Sequence, residues 1–173
     1  MELKNIIKDN NLEELFSKVT IGIEKEGQRI LENGHITKTD HPEVLEPRHE
    51  NPYIQTDFAE SQIELITSPE RNEKDVIRVL NAIHEVALKN IPEDEYIWPL
   101  SIPAVLPDDK DIKVAQFEKE WDIVYREYLV EKYGKYKQMV SGIHYNFQID
   151  DNFMKSVANI QITMLLMLKM IYI

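Results

Sequence analysis

Residues 57–67 read DFAESQIELIT, and the direction of each side chain in this stretch decides the fold. Extended from Ser61 to Thr67, the run turns Ile63 and Leu65 to one side and Gln62 and Glu64 to the other, because side chains on a strand alternate with a period of two. One face is therefore core and the other is polar. Two further runs carry the same design. In TIGIEKEGQR, residues 20–29, Glu24 and Glu26 are two apart and share a face beside Gly22. In QMVSGIHYNF, residues 138–147, Met139, Ile143, Tyr145 and Phe147 form an apolar face, with Gln138, Gly142, His144 and Asn146 opposite.

If the three runs pair in one antiparallel sheet, Glu24, Glu26, Glu64 and His144 converge on a single surface. Carboxylates that close raise one another's pKa unless a cation lies between them. Several carboxylates with one imidazole suit hard divalent ions such as magnesium or manganese. The plainer reading of each piece stands beside this one: antiparallel sheets commonly have a wet face, and a single histidine is more often packed or surface-exposed than a ligand.

The chain has 173 residues, 43% of them hydrophobic, which is enough for one domain with a sizeable core. Its net charge of -11 argues against nucleic-acid or anionic-membrane partners, which require clustered Lys and Arg. With no cysteine, disulfides, thiolate metal sites and a cysteine nucleophile are excluded. The opening MELKNIIKDNN has no basic segment leading into an apolar one, so the expected location is cytoplasmic.

Around the three runs, helices are expected over Glu2–Lys18, broken near Asp9–Asn11, over Asn72–Lys89 and over Val114–Tyr133. The helix at 72–89 places Val76, Val79, Leu80, Ile83, Val86 and Ala87 on a core-covering side. The one at 114–133 carries an aromatic stripe of Phe117, Trp121, Tyr125 and Tyr128 that reads as core, and Gly134 is its stop. HPEVLEPRHENPY, residues 41–53 with three prolines, reads as an irregular loop, and loops of this length are often functional. IWPLSIPAVLP at 97–107 reads as an extended connector or pocket wall. There is no GxxxxGK[ST] or GxGxxG pattern, which disfavours a P-loop or Rossmann nucleotide site. Residues 149–173 read as an atypical, truncated tail lacking its covering elements, within which Ile160–Ile173 is almost wholly apolar yet too short to span a bilayer.

The motifs GIEKEGQRI at 22–30, HPEVL at 41–45, NPYIQTDFAESQIELITSP at 51–69, IWPLSIPAVLP at 97–107, YREYLVEKYGKYKQM at 125–139 and SGIHYNF at 141–147 together resemble the amino-terminal part of bacterial glutamate-cysteine ligases, closest to the ligase half of bifunctional glutathione-synthesising proteins. Their order and spacing run over about residues 20–148. The resemblance implies an α+β fold, a mainly antiparallel sheet flanked by helices, forming an incomplete glutamine-synthetase-like ligase domain over residues 1–173. It implies an ATP-dependent ligase that joins glutamate, through a γ-glutamyl phosphate, to cysteine, with two or three magnesium or manganese ions. Glutamate, cysteine and ATP would be its small-molecule partners, and the C-terminal half of the ligase a missing one. On this pattern Glu24, Glu26, Glu64 and His144 are metal ligands, with no catalytic residue beyond them. Tyr125, Leu129 and Gln138 line the cysteine side, Arg126 meets a substrate carboxylate, and Asp57 and Glu60 are secondary candidates. A non-catalytic metal-binding or interaction remnant, and a metal-dependent hydrolase on the same carboxylates, are the competing readings.

Overall fold

The computed structural model describes residues 2–171 apart from His49 and Glu118, with side chains followed as far as Thr163. In chain order the elements are α1 (Leu3–Asp9), α2 (Glu13–Phe16), β1 (Val19–Leu31), β2 (Ile54–Thr56), β3 (Gln62–Ile66), α3 (Glu73–Asn90), β4 (Glu95–Trp98), α4 (Glu120–Tyr133), β5 (Ile143–Ile149) and α5 (Asp151–Ile171), with 3-10 turns at Glu43–Leu45, Asp109–Asp111 and Tyr136–Met139.

The 13-residue β1 is the spine of a five-stranded antiparallel sheet. One of its edges carries β3, with Glu26 opposite Glu64 and Gln28 opposite Gln62, and β3 in turn carries β2. The other edge is shared: β5 pairs with residues 19–25 and β4 with residues 28–31. Directly opposed residues of an antiparallel pair share a face, so the odd residues of β1 and β3 lie on one side and the even ones on the other.

The odd face is apolar and α3 covers it. Ile63, Leu65 and Ile54 pack with Ile83, Ala87, Ile91 and Leu45 in one core cluster. Asn72 caps α3 by accepting the Asp75 N–H at 3.0 Å, which satisfies a first-turn donor that has no partner within the helix. On the even face the end of the sheet near Ile30 packs with Ile36, Phe58, Ala59, Ile112 and Met139 under Trp98, Leu129 and Val130. The other end of that face is polar, and the carboxylates lie there.

The first helical region is two short helices separated, as expected, where Asn11 takes φ 54°. Other boundaries differ from the sequence reading. The helix expected from Val114 begins at Glu120, because residues 114–115 are extended: Val114 bridges Ala59 and the Ala115 N–H donates to Phe58 O at 2.9 Å. Gly134 does end α4, at φ 78°. The aromatic stripe on α4 is not core, since Trp121 is 74% exposed and Tyr125 and Tyr128 each 49%. The helix is held instead through Leu129 and Val130. Val86 also projects outward from α3 rather than joining its apolar face. The polar run 138–147 is not one continuous strand, because Gln138 and Met139 belong to a 3-10 turn and strand geometry starts at Ile143. The apolar face expected on that strand is present but uncovered. Two strands, β2 and β4, were not anticipated. The apolar residues of the tail from Met164 onward lie outside the described side chains.

Candidate active site

Register alone places Glu24 beside His144, and Glu26 beside Glu64, on the even face. Gln55 of β2 lies opposite Glu64 on the far side. The His144 Nδ1 atom is 3.4 Å from Glu24 Oε2 and 3.6 Å from Glu26 Oε1. Asn146 Nδ2 donates to Glu24 Oε1 at 2.8 Å, and the Gly142 N–H donates to Glu26 Oε2 at 2.8 Å. These contacts fix the directions of Glu24 and Glu26, and no ion pair among the described residues neutralises Glu64.

The acidities report the crowding. The Glu64 carboxyl is pushed up to about 7, first by burial and then by the charges of Asp57, Glu24 and Glu26, with His144 pulling the other way. Asp57, in the connection between β2 and β3, is raised to about 6 by burial and by Glu26, against the pull of Arg126 and His144. Four carboxylates thus feel one another's fields, the condition under which a bound cation or retained protons become favourable. Among the described residues, no group of three or more Asp, Glu or His side chains is preformed to hold a metal ion. The donor set, hard oxygen ligands with a single imidazole, nonetheless fits a divalent ion that takes further ligands from water or a substrate.

Gln62, fully buried on the same face, has neither amide atom hydrogen-bonded. Its neighbour Gln28 is satisfied, donating to Met139 O at 3.0 Å and accepting from Ser61 Oγ at 2.8 Å.

The remaining candidates divide. Arg126 reaches the site through the backbone: Nε and Nη2 donate to Asp57 O at 2.9 and 2.6 Å, Nη1 donates to Asp122 O at 3.1 Å, and the guanidinium stacks on Phe117 at 3.8 Å. In this conformation it holds the chain at Asp57 rather than presenting an open fork to a carboxylate. Glu60 is 2% exposed and fully engaged, accepting from the His41 and Gln116 N–H groups at 3.1 and 2.9 Å and from Arg48 at 3.1 Å. It is a structural anchor, which removes it from the site. Leu129 packs in the second cluster, Gln138 sits half-buried in the 3-10 turn before β5, and Tyr125 projects into solvent. None of these three joins the carboxylates.

The sequence reading missed Gln55, since β2 was not recognised as a strand. It also missed the buried clip in which Arg29 Nη1 donates to Glu95 Oε2 at 2.7 Å while Thr37 and Thr39 hydroxyls donate to Glu95 Oε1. A cavity of about 730 Å³ lies beside that clip and is lined by Leu31, Ile36, Leu106 and Asp111 among others. It includes none of the clustered carboxylates, and the one buried acid on its wall already has its partners. No helix among the described residues is long and apolar enough to cross a membrane.

The family profile of glutamate-cysteine ligase matches residues 4–166, a wider span than the motifs between residues 22 and 147 cover. The glutathione biosynthesis bifunctional protein of Mannheimia succiniciproducens is 51% identical over 161 residues, which is 93% of this chain and 21% of that protein. The glutamate–cysteine ligase of Clostridium acetobutylicum is 42% identical over 154 residues, covering 87% of this chain and 32% of the relative. Among solved structures, the bifunctional glutathione synthetase of Pasteurella multocida superposes with a TM-score of 0.81 at 51% identity, over 91% of this chain and 21% of that one. The chain therefore spans about a fifth of the length of the bifunctional relatives it matches.

Proposed function

Because this chain belongs to the glutamate-cysteine ligase family, we propose that its carboxylate-bearing strand face is part of a site that binds magnesium or manganese and serves ATP-dependent joining of L-glutamate to L-cysteine. The observation that supports the reading is the shared face of Glu24, Glu26 and Glu64 with His144 beside them. In the proposed reaction the γ-carboxylate of glutamate attacks the terminal phosphorus of ATP and ADP leaves. The cysteine amine then attacks the acyl carbon, expelling phosphate and giving γ-glutamylcysteine. Bound divalent ions would neutralise charge on the phosphates. The residues of this chain hold that charge in place: Gly142 and Asn146 orient Glu26 and Glu24, and Arg126 fixes the backbone that carries Asp57.

Calorimetric titration of manganese into the 173-residue chain tests the reading. Glu24→Gln and Glu64→Gln should each weaken binding at least tenfold while the circular dichroism spectrum is unchanged. Unchanged affinity in both variants would end it. A second reading, a binding or interaction module without turnover, is favoured by one observation, the share of about a fifth that the chain has of its bifunctional relatives.

A further inference from the structure

The even face of β1 and β3 is built in rungs, and one of them is unfinished. Gln28 and Gln62 stand opposite each other. On one side of this pair lies the apolar cluster of Ile30, Phe58 and Met139, and on the other comes the rung of Glu26 and Glu64. Gln62 is 0% exposed, and neither its Nε2 nor its Oε1 has a hydrogen-bond partner. Buried amides in that condition are rare enough that each calls for a reason. Gln28 cannot supply the partner, because its Nε2 donates to Met139 O and Ser141 Oγ at 3.0 and 3.3 Å and its Oε1 accepts from Ser61 Oγ at 2.8 Å. The apolar cluster offers nothing to bond. The direction left is toward Glu64, two residues along the same strand face, about 7 Å away at the backbone and within the combined reach of two long side chains.

Glu64 has the complementary lack. Glu24 accepts from Asn146 Nδ2 and Glu26 from the Gly142 N–H, each at 2.8 Å, whereas no donor among the described residues reaches the Glu64 carboxylate. Gln55, opposite it on β2, gives its Nε2 to Asn51 O at 3.0 Å. Two of the three clustered glutamates are thus aimed by a nitrogen donor, and beside the third stands a buried amide whose donors are unused. We propose that Gln62 is the positioning residue for Glu64: with a divalent ion bound, Gln62 Nε2 donates to one carboxylate oxygen and turns the other toward the ion. This rests on the cation reading and adds to it the donor that its third carboxylate lacks. Ligating carboxylates are ordinarily held by such partners, and losing one costs about ten- to a hundredfold in metal affinity. The role needs a side chain that donates, so shape alone does not satisfy it.

The experiment titrates manganese calorimetrically into the 173-residue parent, Gln62→Met and Gln62→Leu, and melts all three without metal. Methionine keeps the length of the side chain and leucine its bulk, and neither donates a hydrogen bond. Both variants should bind manganese about tenfold more weakly than the parent and melt no lower than it, since the amide they replace has no bond to lose. With the glutamine amides of the parent isotope-labelled, the side-chain signal that is missing from Gln62→Met should shift as magnesium is added to saturation. Parent affinity kept by both variants, or a Gln62 amide signal that magnesium leaves in place, would overturn the inference while the cation reading stands. Both variants melting well below the parent without metal would overturn it too, by showing that the amide already has a bond in the folded chain. A parent that binds no manganese would bring down the cation reading and this inference with it.

Discussion

Glu64 carries the sharpest prediction at the residue scale. An unfolded chain titrates this carboxyl near 4.5, the folded one near 7. Between those values the native state holds a proton that the unfolded state has lost, so the contribution of Glu64 to stability is complete below 4.5 and falls as pH rises through 7. Asp57 acts in the same direction from 3.8 to about 6. Metal-free chain with Glu64→Gln should therefore gain about 2 kcal/mol over the parent at pH 8, the roughly 3 kcal/mol of the full shift reduced by the carboxyl's partial exposure, and almost nothing at pH 3, read from thermal melts across pH. Manganese should restore the parent at pH 8 and leave the variant unmoved; equal pH slopes in the two proteins would refute the assignment. Arg126→Lys should cost about 1–2 kcal/mol in urea unfolding, because an ammonium cannot reproduce the two donors on Asp57 O and the stacking on Phe117. Strand parity was enough to gather Glu24, Glu26, Glu64 and His144 on one face, since the two-residue period is written directly in the order of residues. It could not aim Asp57, which lies between strands and is set by a side chain 69 residues further on. It also failed at Gln138, where the chain is in a 3-10 turn and the period of two does not apply.

Among the elements, α3 was legible and α4 was not, for one physical reason. A period of 3.6 identifies which residues share a helix face but says nothing about whether another element covers that face. On α3 the face meets Ile63 and Leu65, and Leu65→Ala should cost about 2–5 kcal/mol by leaving a cavity, measured by denaturant unfolding, with the exposed Val86→Ala nearly neutral. On α4 Trp121, Tyr125 and Tyr128 stay exposed, and Tyr128 meets only the polar head of Lys132 among the contacts that hold it. Strand β4 escaped notice because it has four residues followed at once by prolines. Its attachment depends on the Arg29–Glu95 pair, each side chain 1% exposed. Removing one partner of such a pair leaves a buried charge unmatched, so Glu95→Ala should cost about 3–5 kcal/mol and release β4, seen as rapid hydrogen exchange at residues 95–98.

For the whole molecule, the chain should release no phosphate from ATP in the presence of glutamate and cysteine, since it spans about a fifth of its bifunctional relatives. Turnover on the order of 1 per second or faster would show that this share suffices for the chemistry. The antiparallel α+β plan was readable because three segments repeat one alternation; the order of strands was not, since nothing local says that β1 will accept two partners along a single edge. That arrangement also sets a timetable. Val19 pairs with Ile149, so the sheet cannot close until residue 149 has left the ribosome. At roughly 5–20 residues per second, the first half of β1 waits about ten seconds for its neighbour. A nascent chain in that interval carries Ile21 and Ile23 on a strand bonded along one edge only, through Thr67 and Glu70, a natural client for a chaperone that binds extended apolar segments.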